Sequence, residues 1–124
     1  MKWKRIRNFK PKEFECPDCG ESLMNERFVQ KLDILREMIG ETVTISHGGG
    51  YRCKQYNEKA GGNDNSPHMR GLGVDIRCTD AVYRNKLLEA VYSVGFQGKG
   101  IYDKHIHLDD YDRGICVAWH GISQ

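Results

Sequence analysis

The stretch Ser66-Pro67-His68-Met69-Arg70-Gly71-Leu72-Gly73-Val74-Asp75 sets a histidine and an aspartate seven positions apart, and a second cluster, His105-Ile106-His107-Leu108-Asp109, follows near the C-terminus. Two imidazoles and a carboxylate are the donor types of a zinc site that keeps its fourth position open for water. An ion held in that way makes its water a hydroxide-like nucleophile near neutral pH, so the chemistry these residues point to is hydrolysis. His105 and His107 compete for the last place, because residues two apart on a strand share a face.

The elements that must carry these residues can be read from periodicity and punctuation. Asn25 caps a helix running to Ile39, in which Phe28, Leu32, Leu35 and Ile39 fall at helical spacing before Gly40 stops it. Thr42–Ser46 is β-branched and alternating and reads as a strand. Gly48-Gly49-Gly50 breaks it, a short helix covers Cys53–Lys59, and Gly61–Asn65 is a loop by composition. Leu72–Cys78 reads as a strand, followed by a helix capped by Thr79 with Val82, Leu87, Val91 and Val94 on its apolar face and Gly95 at its end. Gly100–Tyr102, His105–Asp109 and Ile115–Trp119 alternate like antiparallel strands. Helices and antiparallel strands in separate blocks imply an α+β fold, a small antiparallel sheet with helices packed on it around the zinc cleft.

The whole-chain numbers fit one domain over residues 1–124. Its 39% hydrophobic and 29% charged residues are those of an ordinary globular protein. A formal charge of +2 is too small to argue for nucleic acid. The start is locally basic (Lys2, Lys4, Arg5, Arg7, Lys10, Lys12) and reads as a solvated tail, with attraction to an anionic polymer or surface as the other reading. No apolar run approaches the ~20 residues of a membrane span, and the basic start does not lead into the apolar stretch of a signal peptide. The expectation is a monomer made in a cytoplasm, with no membrane or nucleic-acid partner. Five cysteines without a signal peptide argue against a disulfide scaffold. Cys16-Pro17-Asp18-Cys19-Gly20 is half of a zinc-ribbon pattern with no second C-x-x-C to complete it. Cys78 and Cys116, in apolar strand-like runs, read as small buried hydrophobes.

Taken together, these segments resemble a known family. Ser66 to Asp75 is similar to the S-x-H-x-x-G-x-A-x-D signature of the zinc D-alanyl-D-alanine carboxypeptidases, which share a fold with hedgehog signalling domains. Gly50-Tyr51-Arg52-Cys53, Asn57 and Gly61-Gly62 resemble the G-Y-R segment and N-x-x-x-G-G loop that precede it. Gly100-Ile101-Tyr102 and His107-Leu108-Asp109 resemble the closing G-I-Y…H-x-D strand. Glu13-Phe14-Glu15-Cys16 resembles the E-F-x-C start of compact phage and prophage members. The match runs through nearly the whole chain in the right order.

The resemblance implies a hedgehog/DD-peptidase-like fold with residues 1–20 as a basic arm and C-x-x-C segment. It implies zinc on His68, Asp75 and His107, leaving His105 as a substrate contact or a neighbour of the ligands. Arg52 would clamp a terminal carboxylate through its planar guanidinium; the other reading is a surface arginine on the short helix. Ser66 would bond the substrate or its own loop backbone, and Tyr51 and Tyr102 would line the cleft or pack in the core. A Glu or Asp is expected three residues before the last ligand, and Lys104 stands there instead. If strand alternation extends from Asp103 to Asp109, Asp103 faces the metal and can act as the general base, while Asp109 could equally orient a ligand imidazole. The implied substrate is a peptidoglycan stem peptide, cut at a D-Ala-D-Ala terminus or at a nearby endopeptidase bond. Action would be on the cell wall after release, as for an endolysin. A zinc-containing but inactive binding domain of the same fold is the alternative that Lys104 supports.

Overall fold

The computed structural model describes residues 1–122. The capping expected at Asn25 forms: its side chain accepts a hydrogen bond from the Phe28 amide at 3.0 Å, and α1 runs over Glu26–Ile39 to Gly40 in the left-handed conformation. A second helix, α2, covers Lys54–Lys59, and α3 covers Ala81–Val94. Asp80, not Thr79, caps α3, accepting from the Tyr83 amide at 2.8 Å. A carboxylate next to the first helical residue competes better for that N–H than a hydroxyl one position earlier. Val82 lies exposed, whereas Leu87, Ala90 and Val91 make the buried face.

Four strands follow: β1 Gly73–Arg77, β2 Gly98–Ile101, β3 His105–Asp109 and β4 Val117–His120, in the order β1-β3-β2-β4. β3 is antiparallel to both β1 and β2, but β4 lies parallel to β2, so the sheet is mixed and not purely antiparallel. Local alternation marks a strand without giving the direction of its partner. Thr42–Ser46 does not become a named strand. It touches the free side of β1 through one bridge, Ile45 to Ile76, flanked by Ser46 N–H to Asp75 O at 2.8 Å and Arg77 N–H to Thr44 O at 2.9 Å.

One face of the sheet supplies Val74, Ile76, Ile106 and Leu108 to the core, where they join Phe28, Leu32 and Leu35 of α1 and Leu87 and Val91 of α3. The alternate residues of the same strands form the other face, and this is where the polar groups stand. The N-terminal arm corrects the expectation of a solvated tail. Its lysines and arginines remain largely outward, but Ile6, Phe9 and Phe14 are buried. Phe14 contacts Trp3 and Phe9 with ring centroids 5.5 Å apart in each case. The buried Asp33 carboxylate of α1 holds the arm's backbone, accepting from the amides of Arg7 and Asn8 at 2.9 and 2.8 Å. Cys78 is buried as expected; Cys116 is exposed, because the residues before β4 run along the surface. Among the described residues, no helix is long and apolar enough to cross a membrane.

Candidate metal centre

Strand register builds the site. Asp75 of β1 is paired with His107 of β3, His107 with Gly100 of β2, and Gly100 with Trp119 of β4. One row across the sheet thus reads carboxylate, imidazole, glycine, indole. A side chain at Gly100 would put its Cβ 2.7 Å from Trp119 Nε1, so the glycine is what lets the indole lie beside His107, with ring centroids 5.5 Å apart. His68 comes from outside the sheet, in the 3-10 turn Pro67–Arg70. The turn opens with the Ser66 side chain accepting from the His68 amide at 3.3 Å, and closes on Gly71 at φ +67°, where an L side chain would be strained.

His68, Asp75 and His107 each bring one ligand atom to within 4.8 Å of the others, a grouping able to hold a metal ion. Hydrogen bonds fix which ring nitrogen each histidine offers. His68 Nδ1 donates to the Gly50 carbonyl at 3.0 Å, which leaves Nε2 facing Asp75 Oδ1 at 3.5 Å. His107 Nε2 donates to Asp109 Oδ2 at 2.7 Å, which leaves Nδ1 against Asp75 Oδ1 at 3.0 Å. Asp109 is fully buried and is itself held by Arg113 at 2.7 and 3.0 Å. Oriented imidazoles with an oxygen on the far nitrogen are how metal-binding histidines are held.

The electrostatics agree. Burial alone would lower the His107 pKa, but the hydrogen bonds to Asp109 and Asp75 push it up to about 9. Burial would raise Asp75, and bonds from His107 and His68 instead hold it well below the usual carboxylate range. Asp109 is likewise lowered to about 2, its burial outweighed by His107 and Arg113. Arg52 and Arg113 offset part of the charge of these two carboxylates, and a metal ion in place of the His107 Nδ1 proton would offset more.

The family profile described as Peptidase M15 matches residues 7–109, which take in all three of these residues. The chain belongs to the Peptidase M15 family. The family is of the zinc D-alanyl-D-alanine carboxypeptidase type, its members are metal-dependent and usually use zinc, and the α+β architecture is compatible with the hedgehog/DD-peptidase-like fold. No curated protein matches the chain.

In this M15 peptidase the three candidate ligands open into a cleft of about 480 Å³. Arg52 lines it, donating from Nε to Gly48 O at 2.9 Å and from Nη2 to Asp75 Oδ2 at 3.3 Å. It precedes α2 and is only 14% exposed at its side chain, which rules out the surface-helix reading. Ser66 is buried at the cleft wall with its hydroxyl engaged by the His68 amide. His105 also lines the cleft, stacked on Tyr102 with centroids 4.4 Å apart; burial lowers its pKa, so its imidazole tends to the neutral form. Tyr51 packs against the core instead.

Asp103 is placed differently from the alternation argument. β3 begins at His105, and Asp103 is exposed in the bend before it, with its carbonyl accepting from Arg84 at 3.0 Å. Its charge acts on His105, opposing the effect of burial there. Trp119 and Arg113 were not singled out by sequence reasoning, although both line the cleft. Arg113, four residues after Asp109, was the readable one; Trp119 depends on β4 pairing parallel with β2.

Proposed function

We propose that this M15 peptidase hydrolyses the stem peptides of peptidoglycan next to a D-alanine, as a D-Ala-D-Ala carboxypeptidase or an endolysin-type endopeptidase. The observation that carries the reading is the convergence of His68 Nε2, Asp75 and His107 Nδ1 at the floor of an open cleft, with both far ring nitrogens already engaged. Zinc held by these three residues would supply a water of lowered pKa and a Lewis acid for the scissile carbonyl.

The chain's own residues supply the rest. Arg52 is held at Nε and Nη2, and its guanidinium edge is proposed to receive the carboxylate of a peptide end or side chain. Ser66 fixes the His68 turn and forms the wall against which the peptide backbone lies. Asp109 and Arg113 keep the His107 ring from turning. Asp103 and His105 are proposed to handle the proton: His105 reaches the cleft as a neutral base, and Asp103 stabilises the imidazolium when it forms. The returned proton then goes to the leaving amine.

Digestion of purified muropeptides followed by mass spectrometry tests this. Release of D-alanine supports carboxypeptidase action, and cleavage within the stem or cross-link supports endopeptidase action. The position of Lys104 and the exposed bend at Asp103 favour one second reading, a zinc-containing peptidoglycan binder without turnover. Retention of muropeptides by the zinc-loaded protein with no new products would select it.

A further inference from the structure

A second cluster of ligand-bearing side chains lies apart from the cleft. The Sγ atoms of Cys16, Cys19 and Cys53 lie within 4.8 Å of one another, and those of Cys16 and Cys53 are 3.6 Å apart. Core packing does not account for the gathering, since Cys19 is exposed and Cys53 only partly buried. A disulfide would use two of the sulfurs and leave the third unexplained.

Backbone hydrogen bonds hold them in this arrangement. In the Cys16-Pro17-Asp18-Cys19-Gly20 turn, Gly20 N–H donates to Cys16 O at 2.9 Å and Cys16 N–H to Glu21 O at 2.8 Å, so both sulfurs emerge on the same side. The Cys53 amide points at Cys16 Sγ from 3.5 Å, a donor placed to stabilise a thiolate there. Two thiolates on a tetrahedral zinc, each at about 2.3 Å, sit about 3.8 Å apart, close to the spacing of Cys16 and Cys53.

We propose that Cys16, Cys19 and Cys53 bind a structural zinc ion, with an oxygen in the fourth position. The Asp18 carboxylate, 4.0 Å from Cys53 Sγ, or a water supplies that oxygen. Soft thiolates select zinc over calcium or magnesium, and on binding each thiol gives its proton to solvent. The ion joins segments far apart in sequence. Cys53 follows Arg52 and opens α2, and the neighbouring Tyr51 N–H donates to Phe14 O at 2.9 Å. Gly50 passes so close to the arm that a Cβ there would lie 2.5 Å from Phe14 Cα, and its carbonyl is the acceptor for His68. The cysteine site is therefore a clamp behind the loop that carries Arg52 and orients His68.

The test uses the whole chain, purified reduced and then loaded with zinc or cobalt(II). Elemental analysis is expected to give two zinc ions per chain, falling to one in Cys53→Ser and to one in His107→Ala. With cobalt, a thiolate-to-metal charge-transfer band in the near ultraviolet is expected in the wild type and in His107→Ala, and absent in Cys53→Ser. The His107→Ala arm keeps every cysteine, so misfolding of a cysteine variant cannot imitate the result. It also separates this site from the peptidase reading, because the band does not depend on turnover. Wild-type protein with one zinc and no charge-transfer band overturns the proposal. So does a Cys16–Cys53 disulfide found in non-reduced peptides of the protein as purified from cells.

Discussion

The two ligand clusters are built in opposite ways. His68, Asp75 and His107 stand on or beside the sheet, with Asp75 and His107 directly opposite in a strand pair and each imidazole held by a second bond. Cys16, Cys19 and Cys53 stand on a turn and the residue before a short helix, with backbone loops between them. The first arrangement exists before any ion arrives, as a site for chemistry requires. The second is held by turn hydrogen bonds, and the proposed ion would lock together segments far apart in sequence, as a clamp does. The contrast teaches that damage at the sheet should appear first in reaction rate, and damage around the arm first in stability.

The largest expected effect tests the sheet side. Asp75→Asn keeps the shape but removes the charge between two histidines, and peptide hydrolysis is expected to fall to background with zinc lost from the cleft. Elemental analysis and product counting check both. Asp109→Asn comes next. It leaves the three ligands in place while weakening the hold on His107, so a loss of roughly 10–100-fold in zinc affinity or activity is expected. An unchanged zinc titration would mean that Asp109 serves packing alone.

Arg52→Ala should act on binding. Losing a charge-assisted contact to a carboxylate raises KM by roughly tenfold or more, with kcat and zinc content much less affected. An equal fall in kcat would show that its contact with Asp75 matters more than substrate. On the arm side, Phe14→Ala empties a fully buried ring site and should cost about 3–5 kcal/mol of stability. Below its lowered melting temperature the variant should still bind zinc at the cleft. Loss of cleft zinc in the folded variant would erase the distinction between the two regions.

The gentlest probe is pH. In the metal-free protein the His107 pKa is raised from 6.5 to about 9, so the proton's stabilising contribution is full below 6.5 and is lost as pH rises through 9. Zinc must displace that proton. Affinity at the cleft should therefore climb by up to about tenfold per pH unit as pH rises toward 9, and then level. Zinc titrations in buffers of different ionisation enthalpy measure the proton released.

What could be read from the sequence was what is locally encoded. The cap at Asn25, the stop at Gly40 and the short interval from His68 to Asp75 are of this kind, whereas His107 was preferred to His105 only through the family resemblance. The buried arm was missed because Ile6, Phe9 and Phe14 follow no regular period. Cys53 could not be joined to Cys16 and Cys19 because they meet only through the fold. The parallel pairing of β4, and with it Trp119 beside His107, depends on a chain direction that alternation does not contain. Strand alternation could not be carried back to Asp103, because the chain bends before β3 begins.

The most direct measurement is restoration of muropeptide hydrolysis after metal removal. Chelation should abolish product formation, and zinc should restore it in the wild type but not in Asp75→Asn. Full activity in the chelated protein, or equal restoration in both, would contradict the assignment of His68, Asp75 and His107 as the centre of the reaction.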